Sequence, residues 1–133
     1  MKKSIIATLL FLVVAFPAFG ELPFYNANQF TLDWDETNLD VDGDPIVGVT
    51  YKVYIANATT DPNKTNAVVV ANPTTNQATI TLTKGKYFVG VSAALDDMES
   101  EICWADVQDV SFGAEQFGLR FAVPPKTPTN IKR

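Results

Sequence analysis

The sequence predicts an all-β protein whose strands pack as a β-sandwich, and three observations support this prediction. Apolar and polar residues alternate over several short runs, as they do in strands with one buried face. Val, Ile, Thr, Tyr and Phe dominate these runs, and helical periodicity is nearly absent. Clusters of Asp, Asn, Gly, Pro and Thr separate the runs at short intervals, which is typical of sandwiches and barrels.

The first 20 residues are predicted to be a signal peptide that takes no part in the fold. They begin with two lysines and continue with an apolar run over residues 5–16, which is shorter than the ~20 residues of a membrane span. Pro17 ends this run, and the small residues Ala18 and Gly20 place a cleavage site before Glu21. An uncleaved N-terminal anchor is the less favoured alternative.

Charge limits the classes of partner. The chain has 10 basic and 15 acidic residues and a net charge of −5. The two lysines at positions 2 and 3 are the only charged residues among the first 20, so cleavage would leave a net charge of −7. This balance argues against nucleic acid and anionic membranes as partners. No second apolar segment is long enough for a membrane span after cleavage, so we expect a secreted protein, extracellular or periplasmic.

Six runs after the signal peptide are predicted as strands or strand-like segments. In order they are "QFTLDWD" (29–35), "VTYKVYIA" (49–56), "NAVVVA" (66–71), "QATITLT" (77–83), "GKYFVGVSAAL" (85–95) and "FGLRFAV" (117–123). The turn residues "DGDP", "TTDPNKTN", "NPTTN" and "LDDMES" lie between them, and Lys84-Gly85 predicts a tight turn. The pattern is weak over residues 102–117, and the last ten residues, "PPKTPTNIKR", predict an extended tail.

The residues in these runs resemble fibronectin type III domains. "FTLDWD" is similar to the second strand of that family, which ends in a core Trp matched by Trp34, and "YKVYI" is similar to the third strand, with Tyr51 and Tyr54 at its aromatic positions. Asp42 to Pro45 match a "DGxP" loop that bacterial and phage members often have. Seven further residues carry the match: Leu82, Tyr87, Val89, Val91, Ala93, Glu99 and Ser100.

The resemblance implies an immunoglobulin-like, Greek-key β-sandwich of the fibronectin type III type over residues 21–123. This domain would lie between the signal peptide at 1–20 and a proline-rich tail at 124–133. Two departures limit what the resemblance implies. Residues 102–117 are longer than a plain last strand requires, and the integrin-binding tripeptide Arg-Gly-Asp of some members is absent.

The apolar faces of the strands, together with the resemblance, predict the core between two sheets. In Greek-key sandwiches a Tyr near the start of the sixth strand can hydrogen-bond back to the preceding loop, which is the role implied for Tyr87. The predicted core residues are Leu32, Trp34, Tyr51, Val53, Ile80, Leu82, Tyr87, Val89 and Val91.

The acidic stretch "DVDGD" raises the question of a calcium site. Asp40, Asp42 and Asp44 alternate as calcium ligands do, but an EF-hand also needs Gly at its sixth position and Glu at its twelfth. Pro45 and Tyr51 stand at those positions, which excludes an EF-hand. Asp-Gly followed by Pro is typical of a turn, so we predict a polar turn. A looser calcium site on the three aspartates is the less favoured alternative, and no other cofactor is expected.

Catalysis is not predicted. The chain has no His, which rules out Ser-His-Asp, Cys-His and His-metal chemistry, and no Gly-rich phosphate loop follows a strand. The single Cys103 allows no intramolecular disulfide. We interpret it as a small buried hydrophobe, with an intermolecular disulfide or a reactive thiol as the alternative.

These observations favour a non-catalytic binding or structural module that acts through exposed loops and sheet edges on a protein or a surface glycan. One alternative is a subunit of an extracellular or phage-related assembly that self-associates through the tail at 124–133. A weaker alternative is an accessory domain that binds carbohydrate, which usually needs a flat cluster of exposed aromatic rings. The candidate rings for that role are Phe24, Tyr25, Tyr54 and Phe88.

Overall fold

The computed structural model describes residues 5–8 and 21–133, and over these residues the protein is all-β without a helix. This confirms the all-β part of the predicted fold class. In the described part of the chain, no helix has the length and apolar character that a membrane crossing requires. The described strands are β1 (Ile5–Thr8), β2 (Phe24–Asn26), β3 (Gln29–Trp34), β4 (Thr50–Asn57), β5 (Val68–Ala71), β6 (Gln77–Thr81), β7 (Gly85–Leu95), β8 (Met98–Glu99), β9 (Cys103–Trp104) and β10 (Gly118–Phe121).

The strands form two sheets in a sandwich-like arrangement. The smaller sheet has the order β1-β3-β6 and is antiparallel. The larger has the order β2-β10-β7-β4-β5, and β8 and β9 also pair with β7. β2 runs parallel to β10, whereas the other described pairs of this sheet are antiparallel. β7, the longest strand, therefore connects most of the larger sheet.

The core lies between the sheets and is formed by alternate residues of β3, β4, β6 and β7. Burial alternates along β3 and β6, because successive side chains of a strand point to opposite faces. The ring of Trp34 meets the ring of Tyr51 edge to face, with the ring centres 5.3 Å apart. All nine residues of the predicted core are buried: Leu32, Trp34, Tyr51, Val53, Ile80, Leu82, Tyr87, Val89 and Val91.

The segment from residue 102 to residue 117, where the sequence pattern is weak, also contributes to the core. Ala105 and Phe117 are fully buried in it. The backbone N–H of Ala105 donates to the carbonyl of Val89 at 2.8 Å, and the N–H of Phe117 donates to the carbonyl of Ala105 at 3.2 Å. Gln108 is buried too, and its Nε2 donates to the carbonyl of Glu115. The segment is thus held against β7 by backbone hydrogen bonds that have no periodic sequence signature.

A glycine in β7 allows β9 to approach closely. Gly90 is the register partner of Trp104. A Cβ atom at Gly90 would lie 2.5 Å from Cγ2 of Ile102 and 2.8 Å from Cε3 of Trp104, closer than real Cβ contacts come. Glycine at this position therefore leaves the space that these two side chains occupy against β7.

Tyr87 closes the corner between β6 and β7. Its ring is buried, and its hydroxyl shares a 2.8 Å hydrogen bond with Oγ1 of Thr83. The same hydroxyl donates to the carbonyl of Lys84 at 3.4 Å. The ring thus packs in the core while its polar end holds the preceding turn.

The two ends of the chain differ in their structure. β1, which lies within the predicted signal peptide, pairs with β3, and Ile5 is the register partner of Trp34. The predicted cleavage after Gly20 falls outside the described residues, so it stays a prediction. Loss of residues 1–20 would leave that edge of β3 unpaired. At the other end, residues 122–133 form no strand and are exposed.

Candidate functional site

The loop between β3 and β4 forms a small hairpin whose turn is held by hydrogen bonds. Leu39 and Pro45 form an isolated antiparallel bridge. The N–H of Asp40 donates to the carbonyl of Asp44 at 2.9 Å, and the N–H of Gly43 donates to the carbonyl of Asp40 at 3.0 Å. Gly43 has a φ of 86°, a conformation that favours glycine. The "DGDP" stretch therefore forms a tight turn.

The side chain of Asp40 is part of this turn. Its Oδ1 accepts the backbone N–H groups of Asp42 and Asp44, each at 2.9 Å. This is the local capping that Asp provides in turns. In the described part of the chain, no group of three or more His, Cys, Asp or Glu side chains is arranged to hold a metal ion. The structure thus assigns Asp40 a role in the turn, and calcium binding by the three aspartates stays the less favoured prediction.

The turn between β7 and β8 lies beside this hairpin. β4 and β7 are paired so that Thr50 faces Ala94, which brings the start of β4 next to the end of β7. Gly48 lies close to the side chain of Leu95. The two turns therefore leave the sandwich at the same end. We call residues 38–48 and 95–98 together the acidic-apolar loop end.

The acidic-apolar loop end exposes large apolar side chains among carboxylates. Val41 is 101% exposed, Val47 87% and Met98 66%. Exposed apolar residues that stand alone need no explanation, but a group of them on adjacent turns is typical of interaction surfaces. Five exposed carboxylates surround them: Asp40, Asp42, Asp44, Asp96 and Asp97. The tip can therefore offer apolar contacts to a partner while it attracts positive charge.

A small cavity lies below this end, among residues such as Trp34, Tyr51, Ala93 and Cys103. Its volume is about 30 Å³, which is room for water. Nε1 of Trp34, whose side chain lines this cavity, is buried without a hydrogen-bond partner among the described residues. The hydroxyl of Tyr51 accepts the N–H of Thr37 at 3.0 Å, which anchors the base of the hairpin.

Cys103 packs half-buried against the core. This position suits the interpretation of the residue as a small hydrophobe.

Glu99 joins three strands on the outer face of the larger sheet. Its carboxylate accepts hydrogen bonds from Tyr54 Oη at 2.5 Å, Lys52 Nζ at 3.0 Å and Ser92 Oγ at 2.9 Å. The bond from Tyr54, followed by that from Lys52, holds the pKa of Glu99 below its ordinary value. The same contact with Glu99 raises the pKa of Tyr54 and of Lys52. These groups form a closed hydrogen-bonded network that fixes β8 beside the loop end.

The four candidate rings for carbohydrate binding do not form one flat platform. The rings of Phe24 and Phe88 are 6.3 Å apart and tilted by 42°. Tyr25 packs against Phe117, and its hydroxyl donates to Glu115 at 2.9 Å. Burial and this hydrogen bond raise the pKa of Tyr25 to about 12. Tyr54 is held by the carboxylate network described above. All four rings are only partly exposed, which does not favour stacking on a sugar.

Comparison with protein-family models and with curated proteins finds no match for this chain.

Proposed function

We propose that this protein is a secreted, non-catalytic module of the fibronectin type III type that binds a protein partner through its acidic-apolar loop end. The observation that carries the proposal is the pair of adjacent turns that expose Val41, Val47 and Met98 among five carboxylates. The partner that fits this surface presents an apolar pocket with a basic rim, since complementary charge steers association and apolar burial supplies affinity.

The sheet order supports the fibronectin type III part of the proposal. In immunoglobulin-like sandwiches the second and fifth strands share one sheet, and the third, sixth and seventh share the other. Here β3 and β6 pair in the smaller sheet, whereas β4, β7 and β10 belong to the larger one. The buried Tyr87 with its bonded hydroxyl and the buried Trp34 occupy the positions that the resemblance implies for them.

The features of the first 20 residues support export, and the mass of the released protein tests it. We expect the protein released by producing cells to begin at Glu21, because the small residues before it fit the requirements of a signal peptidase. Intact-mass measurement of the released protein checks this directly. A released product that retains residues 1–20 would contradict the secretion part of the proposal but leave the binding surface unaffected.

The binding surface is tested by site-specific photo-crosslinking in the producing cells. A photoreactive amino acid placed at Val41 or at Met98 is expected to give adducts of the same partner, because both positions lie on the loop end. The control position is Lys84, which is exposed in the turn before β7, at the opposite end of that strand. Mass spectrometry identifies the adducts. The proposal fails if neither loop position gives an adduct, or if Lys84 gives the same adduct as often.

The same crosslinking experiment distinguishes attraction by the carboxylates of the loop end from binding that requires calcium. Raising the salt concentration is expected to lower the yield of adducts at Val41, because the carboxylates of the loop end would be screened. A chelator is expected to leave the yield unchanged, since Asp40 is already bonded within its own turn. Loss of the adduct on chelation, with recovery on adding calcium, would instead assign the three aspartates of the turn to a calcium site.

A further inference from the structure

β5 forms a free edge of the larger sheet. It is the last strand in the order β2-β10-β7-β4-β5, so its outer backbone groups face away from β4. Three consecutive valines on it, Val68, Val69 and Val70, are between 39% and 54% exposed. An exposed apolar edge of this kind is a template for pairing with another strand.

The edge lacks the usual charged protection. Natural edge strands commonly carry Lys, Glu or Pro, which prevent pairing with another chain. β5 has the sequence "VVVA" and contains none of these. The nearest cation before it, Lys64, is engaged by Asp106 at 2.7 Å. What limits the edge is its length of four residues and a register shift opposite Val53 and Tyr54. Pairing at this edge is therefore sterically open but small in area.

The charge distribution allows two copies to meet here. The chain is acidic, with a net charge of −5, yet residues 62–95 contain no Asp or Glu and include Lys64, Lys84 and Lys86. β4, the neighbour of β5, has no carboxylate of its own. Two carboxylates reach this region from outside it, and both are engaged: Glu99 by Tyr54 and Lys52, and Asp61 by the N–H groups of Thr65 and Asn66. Two copies that approach through β5 keep their acidic surfaces apart. Approach through the loop end would instead bring ten carboxylates together, five from each copy.

We propose that β5 pairs antiparallel with β5 of a second copy, which joins two larger sheets into one continuous sheet across a twofold axis. A twofold contact uses the same patch on both copies, and an antiparallel strand pair has this symmetry. The valines of the two strands would cover one another. Because four residues a side bury little area, the dimer is weak and forms at high protein concentration. The loop ends of both copies remain accessible, so the dimer presents two binding surfaces.

Sedimentation velocity of the released protein tests this proposal over micromolar to millimolar concentration. We expect concentration-dependent dimerisation that Val69→Lys weakens at least tenfold. The matched control is Val47→Lys, which places the same charge on an exposed valine of the loop end and is expected to leave dimerisation unchanged. Thermal unfolding of each variant shows whether it remains folded, and Val68→Lys provides a second edge variant if Val69→Lys does not fold.

Deletion of residues 124–133 distinguishes the edge from the tail. If β5 forms the contact, the shortened chain still dimerises, and added salt does not dissociate the dimer. The proposal is overturned if the protein is monomeric throughout, or if the control Val47→Lys weakens dimerisation as much as Val69→Lys does. It is also overturned if the deletion abolishes dimerisation. Because the test does not use the loop-end partner, failure here leaves the proposed binding function standing.

Discussion

Replacing Trp34 by Ala is expected to lower the free energy of unfolding by about 3–5 kcal/mol, the usual range for removing a large aromatic side chain from a core. The ring is buried at the end of β3 and packs edge to face on Tyr51. It also borders the water-sized cavity, so truncation would enlarge an existing void. Domains of this size have only about 5–15 kcal/mol of stability. Urea unfolding followed by circular dichroism measures the loss.

Trp34→Phe is the control that separates packing from hydrogen bonding. Nε1 of Trp34 has no partner among the described residues, so replacing indole by phenyl breaks no hydrogen bond with them. We expect Trp34→Phe to lose less than half of what Trp34→Ala loses, because most of the aromatic contact with Tyr51 remains. Equal losses in the two variants would show that a bond of Nε1, for instance to water in the cavity, matters more than the ring.

The sequence predicts most where a strand has one buried face. In β3 the alternation of Phe30, Leu32 and Trp34 with polar residues is also the pattern of burial in the structure. β7 begins and ends at the limits of the run "GKYFVGVSAAL". In β3 the period of two reports directly which side faces the core. In β7 residues 89–92 are all buried, because β9 and the Glu99 carboxylate lie over its outer face as well.

The sequence predicts least where contacts come from distant segments. Ala105 and Phe117 are buried in a segment whose sequence has no period. Backbone hydrogen bonds between the two residues, and from Ala105 to Val89 of β7, hold this segment in place. "VVVA" has three apolar residues in a row, so the pattern does not tell a central strand from an edge strand. The structure shows an edge strand, because β4 is its one neighbour in the larger sheet.

In the candidate site, too, the sequence predicts local turns but not contacts between distant segments. Asp-Gly and Pro predict the turn at residues 42–45, because they set local backbone geometry. That Met98 lies at the same end as Val41 depends on the register of β4 against β7, which local rules do not supply. Glu99 shows it as well: it belongs to the predicted turn "LDDMES", whereas its partners Tyr54 and Lys52 come from β4, more than 40 residues earlier.

Lys64 and Asp106 form an ion pair that is almost withdrawn from water. Nζ of Lys64 lies 2.7 Å from Oδ2 of Asp106, and the two side chains are 17% and 8% exposed. The ammonium group also lies over the rings of Phe88 and Trp104, at 4.8 Å and 5.2 Å from their centres. Oδ1 of Asp106 is buried without a partner among the described residues. The carboxylate therefore depends on Lys64 for compensation of its charge.

Lys64→Met is expected to lower the free energy of unfolding by about 3–5 kcal/mol, because it keeps the apolar stem but leaves the charge of Asp106 buried and unpaired. The double variant Lys64→Met/Asp106→Leu is expected to recover most of this loss, since replacing both partners of a buried pair with apolar residues is often neutral. Urea unfolding of the two single variants and the double variant completes the cycle. A loss below about 1 kcal/mol for Lys64→Met would place the pair among ordinary surface salt bridges. A double variant no more stable than Lys64→Met would show instead that the unpaired charge of Asp106 is not the source of the loss.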